Sequence, residues 1–193
     1  TDSVQTGPEG SFRFALNLKE TGFYLLRTGN GPYSILIVSP GDTLNLNWEP
    51  GQFPEQVVLK GPEDAVLLHE FHLRSLKRKT AVDSLQLLLE SHRGDSLFVP
   101  LTLQTDSVFR AIWEEQREEG SRFIRSHPSS IGCLIVLDFT FGARKVLTLD
   151  EDLELYKMAD SALSAQYPGN RHVVSLHSRI TDFERDQKLA PAR

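Results

Sequence analysis

The sequence predicts an α+β fold, with an N-terminal antiparallel β sheet or sandwich over residues 1–61 followed by a helical domain over residues 62–193. Three observations carry that prediction. Apolar and polar residues alternate with a period of two through residues 12–18 and 44–48. Turn chemistry, Gly29-Asn30-Gly31-Pro32 and Pro40-Gly41-Asp42, separates short apolar runs. After Pro62 the apolar spacing lengthens to between three and four, the period of a helix.

Each strand follows from its own residues. Phe12, Phe14, Leu16 and Leu18 fall on one face of a first strand, because successive side chains of extended backbone point to opposite sides. Residues 23–27 should pair with residues 33–39 across a hairpin at Asn30-Gly31, where both residues accept positive φ. Ile35-Leu36-Ile37-Val38 lacks alternation and reads as a central strand covered on both faces. Proline at the first central position and glycine at the second make residues 39–42 a tight turn. Leu44, Leu46 and Trp48 then form a half-buried strand, and residues 56–60 a last one.

The helical half is read the same way. Leu68, Phe71 and Ser75, then Val82, Leu85, Leu88 and Leu89, predict one long helix or two in series from Glu63 to about His92, broken at Arg93-Gly94-Asp95. Residues 97–103 are expected to loop around Pro100. A second helix should start at Thr105 or Asp106, either of which can cap exposed backbone N–H groups, and end before His127-Pro128. Ser129 or Ser130 should cap a third, apolar helix over residues 131–141. Thr148-Leu149-Asp150-Glu151 has capping-box spacing for a fourth helix, stopped at Tyr167-Pro168-Gly169. Val173, Leu176, Ile180 and Phe183 mark a fifth.

Composition bounds the function. With 39% hydrophobic and 24% charged residues the chain can build a core, which excludes disorder as its dominant state. A net charge of −5 with no basic tract argues against a nucleic-acid partner. No stretch reaches the roughly 18 apolar residues of a membrane span. A single cysteine, Cys133, excludes an internal disulfide, a CxxC pair and any multi-cysteine zinc site. The chain starts at Thr1, has its only methionine at position 158 and ends in Leu189-Ala190-Pro191-Ala192-Arg193, which reads as a linker. It is therefore expected to be a processed or truncated chain, a piece of a larger protein.

The candidate chemistry is thin, and no catalytic, cofactor-binding or metal-binding residue is assigned. His69-Glu70-Phe71-His72 places two histidines three apart on a helix, but the metalloprotease motif needs them four apart with a third ligand elsewhere. The expectation is a solvated face in which Glu70 pairs with Arg74, Lys77 and Arg78. Cys133 lies in an apolar run and reads as a buried thiol, six residues from His127. Gly29-Asn30-Gly31 precedes a strand rather than a helix, so it is a turn and not a phosphate loop. Ser11 and Ser121 lack nucleophile-elbow spacing. Glu114, Glu115, Glu118 and Glu119 read as a solvated acidic stripe.

Motif order adds a resemblance. Gly10-Ser11-Phe12-Arg13-Phe14, Gly22-Phe23-Tyr24-Leu25-Leu26, the run from Ile35 through Ser39-Pro40-Gly41-Asp42-Thr43-Leu44, and Val57-Val58-Leu59-Lys60-Gly61 resemble an N-terminal β domain of unknown function. That domain occurs in thioredoxin-like, AhpC/TSA-type thiol-disulfide interchange proteins of the Gram-negative envelope. Phe123-Ile124-Arg125-Ser126-His127-Pro128 and Tyr167-Pro168-Gly169-Asn170-Arg171 are similar to the helical segment that follows it.

The resemblance implies a non-catalytic region of a periplasmic, membrane-anchored protein, serving as spacer, dimerisation surface or client-binding module. It also implies that a thioredoxin-like domain carrying the CxxC pair lies elsewhere in the parent chain. The partners so implied are that domain and a protein client or a second copy, and no cofactor is expected. Two other readings stand beside it. One is a self-contained periplasmic protein binding a small ligand or peptide at the junction of sheet and helices. The other is a metal-dependent hydrolase using His69, Glu70 and His72.

Overall fold

Gly22–Arg27 (β1) and Tyr33–Val38 (β2) form an antiparallel hairpin, with Phe23 opposite Ile37 and Arg27 opposite Tyr33, in the computed structural model, which describes residues 2–7 and 9–189. The connection is longer than an Asn-Gly turn. Gly29 takes positive φ (60°) and Asn30 does not, so residues 28–32 form a five-residue loop. Pro32 explains the difference, because the residue before proline is held in extended backbone and Gly31 cannot complete a two-residue turn. The turn at residues 39–42 forms as expected. Gly41 lies at φ 88°, the Asp42 N–H donates to the Ser39 carbonyl at 3.1 Å, and the Ser39 N–H donates to the Asp42 carboxylate at 2.7 Å.

Asn45–Asn47 (β3) and Val58–Lys60 (β4) make a second antiparallel ladder, with Leu46 opposite Leu59. Residues 12–18 join neither ladder. Their aromatic side chains pack sideways instead, with Phe12 5.4 Å from Trp48 and Trp48 5.1 Å from Phe53 between ring centres. The antiparallel strands of the N-terminal region are therefore two separate two-stranded ladders rather than one five-strand sheet. Among the described residues, Ile35 to Val38 has a strand neighbour on one edge only, β1.

Glu63–Ser91 (α1) and Phe98–Ser126 (α2) are 29 residues each, about 44 Å long at 1.5 Å per residue, and run antiparallel as a helical hairpin. Glu63 and Asp64 place negative charge at the positive end of α1, and Gly94 (φ 95°) turns the chain beyond it. The second helix starts seven residues before Thr105. Pro100 occupies its third position, where the missing N–H costs nothing because the first N–H groups of a helix lack partners anyway. The Asp95 carboxylate accepts the Leu97 N–H at 2.7 Å just ahead of it. Thr105 is then an interior residue whose hydroxyl donates to the Leu101 carbonyl.

The expected third helix is shorter than its apolar run. Cys133–Leu137 (α3) is followed by a small hairpin, Thr140–Phe141 (β5) with Arg144–Lys145 (β6), turned at Gly142 (φ 58°). Leu149–Gln166 (α4) begins after Thr148, but Asp152 rather than Glu151 reaches back: its carboxylate accepts the Thr148 N–H at 2.9 Å, and its own backbone is kinked out of helical geometry. Arg171–Leu189 (α5) is capped by Asn170, whose side-chain oxygen accepts the His172 N–H while its amide donates to Thr21. Of the predicted C-terminal linker, Leu189 is instead the last residue of α5, and residues 190–193 lie outside the described residues. None of the helices described is long and apolar enough to cross a membrane.

The core crosses the change of period at Gly61. Leu36, Ile37 and Leu59 of the ladders pack in one buried cluster with Leu68 and Phe71 of α1, Phe123 and Ile124 of α2, residues 131–137, and Tyr156, Leu163, Val173 and Leu176. A smaller cluster, Val82 with Phe141 and Val146, lies against Phe109, Ile112 and Trp113. It is the last buried apolar contact along the helical hairpin toward its tip.

Candidate functional site

The helical hairpin has two unlike halves. Near the body, α1 and α2 are joined by polar groups. Gln116 donates to the Ser75 hydroxyl at 2.9 Å and accepts from Arg78 at 3.1 Å. Glu119 is buried with one carboxylate oxygen on Arg74 and the other on Arg78. The expected solvated acidic stripe is thus corrected at Glu119, whose position on α2 turns it toward α1 and two guanidinium groups. Burial without such partners would be prohibitive for a carboxylate. An open groove of about 370 Å³ lies over this network, lined among others by Arg74, Arg78, Glu115 and Arg122. A shallower cleft of about 560 Å³ beside it is lined by Glu114, Arg117, Glu118 and Arg125. Of these carboxylates Glu119 pairs with Arg74 and Arg78, and Glu115 lies 3.5 Å from Arg78.

The histidine motif divides. Glu70 is exposed and lies 3.7 Å from Arg74, whereas His69 is buried with Nε2 2.8 Å from the Val57 carbonyl. His72 stacks on Tyr33 with ring centres 6.3 Å apart. Burial pushes its imidazole below the usual value, a backbone hydrogen bond to Tyr33 opposes that, and neighbouring His69 adds to it. The solvated face expected there is therefore wrong for the two histidines. α1 packs α2 on one side and the β ladders on another, so it has two buried stripes where the spacing of Leu68, Phe71 and Ser75 suggests one. His69 Nδ1, His72 Nε2 and the Ser34 hydroxyl are buried without hydrogen-bond partners. No group of three or more His, Cys, Asp or Glu residues is placed to hold a metal ion among the described residues.

Cys133 is fully buried, as its apolar surroundings predict. Burial, reinforced by the charge of Asp64, pushes its thiol up to about 12. The thiol donates to the backbone carbonyl of His127 at 3.2 Å, while the His127 ring packs on Phe123. The expected hairpin role of Gly29-Asn30-Gly31 holds, since β1 and β2 flank it. The junction between β ladders and helices is filled by Leu36, Ile37, Leu59, Leu68 and Phe71.

Beyond Val82 the hairpin changes character. Six aliphatic side chains stand in solvent: Leu87 (66% exposed), Leu88 (39%), Leu97 (54%), Val99 (66%), Leu103 (72%) and Val108 (42%). Residues 84–105 carry only Glu90, Arg93 and Asp95 as charged side chains. The hydroxyls of Ser84, Ser91 and Thr102 bond to their own helix backbone. This distal arm is apolar where a solvated helix would be charged. The sequence shows the leucines, but their helical spacing reads as core; their exposure follows only from the length by which α1 and α2 outrun the rest of the molecule. Compared with family models, curated proteins and solved structures, the chain matches none of them.

Proposed function

We propose that this chain is the non-catalytic N-terminal region of an envelope thioredoxin-like protein, and that it works as a protein-docking module through the distal arm of the helical hairpin. The observation that carries the docking role is the run of exposed Leu87, Leu97, Val99 and Leu103 beyond the last buried contact at Val82. Single exposed leucines are ordinary; a cluster on one projecting element is the pattern of an interaction site. The motif order from Gly10 to Gly61 supports the family reading. Cys133 fits it as well, since a thiol buried in the core is a packing residue and leaves redox chemistry to another domain.

The test uses the parent protein. Its gene should encode a CxxC thioredoxin-like domain, and replacing Leu87, Val99 and Leu103 with serine should leave reduction of a small disulfide unchanged while slowing reduction of protein disulfides several-fold. Equal rates on protein disulfides would remove the docking role. A parent gene without the CxxC domain would remove the family assignment.

A further inference from the structure

We infer that one flank of the distal arm is a self-association surface whose occupant is the same flank of a second copy of this chain. The inference rests on the arm being the contact element proposed above, and it assigns a partner to the flank that does not include Leu87, Val99 and Leu103.

The geometry begins at the seam between the two helices. On α1 that seam runs through Ser75, Val82, Leu85 and Leu89, and on α2 through Leu101, Thr105, Phe109 and Gln116, as the Ser75 to Gln116 hydrogen bond and the packing of Val82 on Phe109 require. At about 100° per residue, Leu88 lies about 110° to one side of the α1 seam, and Leu97 and Val108 about 60–80° to the same rotational side of the α2 seam. Because the helices are antiparallel, these sides coincide. Leu88, Leu97 and Val108 therefore share one flank of the arm.

That flank is open along its length. The opposite flank is covered at its base by the β5–β6 hairpin, with Phe141 on Phe109 and Trp113, and Arg144 4.3 Å over the Trp113 ring. The open flank continues toward the body as the groove lined by Arg74, Arg78, Glu115 and Arg122.

Its residues have the spacing of a helix-packing seam. Leu97, Gln104, Val108 and Ala111 follow one another at steps of seven, four and three on α2, and Ala81 and Leu88 at seven on α1, with Leu101 and Leu85 of the inner seam bordering them. Two adjacent antiparallel helices with such stripes are half of a four-helix bundle. The missing half must be two antiparallel helices with matching apolar spacing and without charges that select a different partner, and this arm is itself such an element. A two-fold contact is self-complementary by construction. The strip is about 20 Å wide and 22 Å long. Burying it covers about 440 Å² of each chain, about 900 Å² in total, the size of a weak, reversible interface rather than a permanent one.

Sedimentation of the full 193-residue chain across the micromolar range tests this. A reversible monomer–dimer equilibrium is expected. The double variant Leu88→Asp/Val108→Asp should shift it at least tenfold toward monomer with an unchanged circular dichroism spectrum, and Val99→Asp/Leu103→Asp, off that flank, should leave it in place. Should the flank variant fail to fold, mild oxidation of single variants replaces it: Gln104→Cys, on the flank, should cross-link two chains, and Thr102→Cys, on the other side, should not. A wild-type chain that stays monomeric, a dimer that survives the flank variant, or cross-linking through Thr102→Cys overturns the inference. A monomeric chain whose serine-substituted parent still loses activity on protein disulfides would sink the second copy alone and leave the docking role standing.

Discussion

Arg117 of α2 grips the carboxylate of Asp152 in α4 with two parallel hydrogen bonds, 2.6 and 3.1 Å long, at the kink in α4. The same guanidinium donates to the Val146 carbonyl at 3.1 Å, and the same carboxylate accepts the Thr148 N–H. One ion pair thus ties the helical hairpin to the start of α4 and satisfies two backbone groups of the segment that leaves the β5–β6 hairpin. Planar, two-pronged contact is a geometry that arginine supplies and lysine does not.

Removing one partner leaves a buried charge. Arg117→Ala, which strands the buried Asp152, should cost about 3 kcal/mol, the low end for breaking a buried pair, and Asp152→Ala less, because Arg117 is partly exposed and keeps Glu151 at 3.2 Å. The double variant should cost clearly less than the sum of the two, because the second substitution removes a group that is already unpaired. Urea unfolding of the four proteins measures this, and additive losses would show that the two residues act independently.

Cys133 should be inert in the folded protein. With its thiol pushed up to about 12 and no exposed surface, it presents almost no thiolate at neutral pH, and thiolate is the reactive form. A thiol-specific aromatic disulfide reagent should therefore label less than a tenth of the native chain in the time that it labels all of the chain in strong denaturant. Labelling at comparable rates would place the thiol at the surface.

The helices were legible in the residues because their signals are local. Pro62, Arg93-Gly94 and His127-Pro128 bound α1 and α2 whatever surrounds them. What depended on a distant partner was not legible. Residues 12–18 alternate as a strand does, yet a strand exists through the hydrogen bonds of its neighbour, and alternation names no neighbour. The N-cap expected at Thr105 failed because proline inside a first turn looks, in sequence, like proline in a loop. Glu119 and His69 read as surface residues since charge and imidazole favour water; each is buried because a second element supplies its partner, the Arg74 and Arg78 side chains in one case and the Val57 carbonyl in the other. The arm shows the converse. Its leucines read as core, and no local signal says that the body ends at Val82.

His72 gives the fold a pH dependence on the acid side of neutrality. Burial, aided by His69, holds its folded-state value below the 6.5 of a free imidazole, against the opposing bond to Tyr33. The unfolded chain therefore binds the proton more tightly than the folded one. The contribution is complete above the unfolded value and is lost as pH falls through the folded value. Urea midpoints should fall as the pH drops below 6.5, and His72→Phe, which keeps a ring against Tyr33, should flatten that fall. An unchanged slope in the variant would assign the dependence to other groups.

Tyr156 holds the two ends of the β5–β6 excursion together. Its hydroxyl lies 3.1 Å from the Leu137 carbonyl and 3.0 Å from the Leu147 carbonyl, which precede and follow that hairpin, and the ring is buried. Burial pushes the phenol up to about 12, so it remains a donor across the whole range in which the protein is folded. Tyr156→Phe keeps the ring and removes the single O–H that these two buried carbonyls share, which should cost about 1–2 kcal/mol. Because the loss falls on the excursion rather than on the helices, hydrogen exchange should quicken at residues 138–147 before it does in α1 or α2. Exchange that quickened first in α1 would mean that the hydroxyl stabilises the helical core as a whole and not this connection.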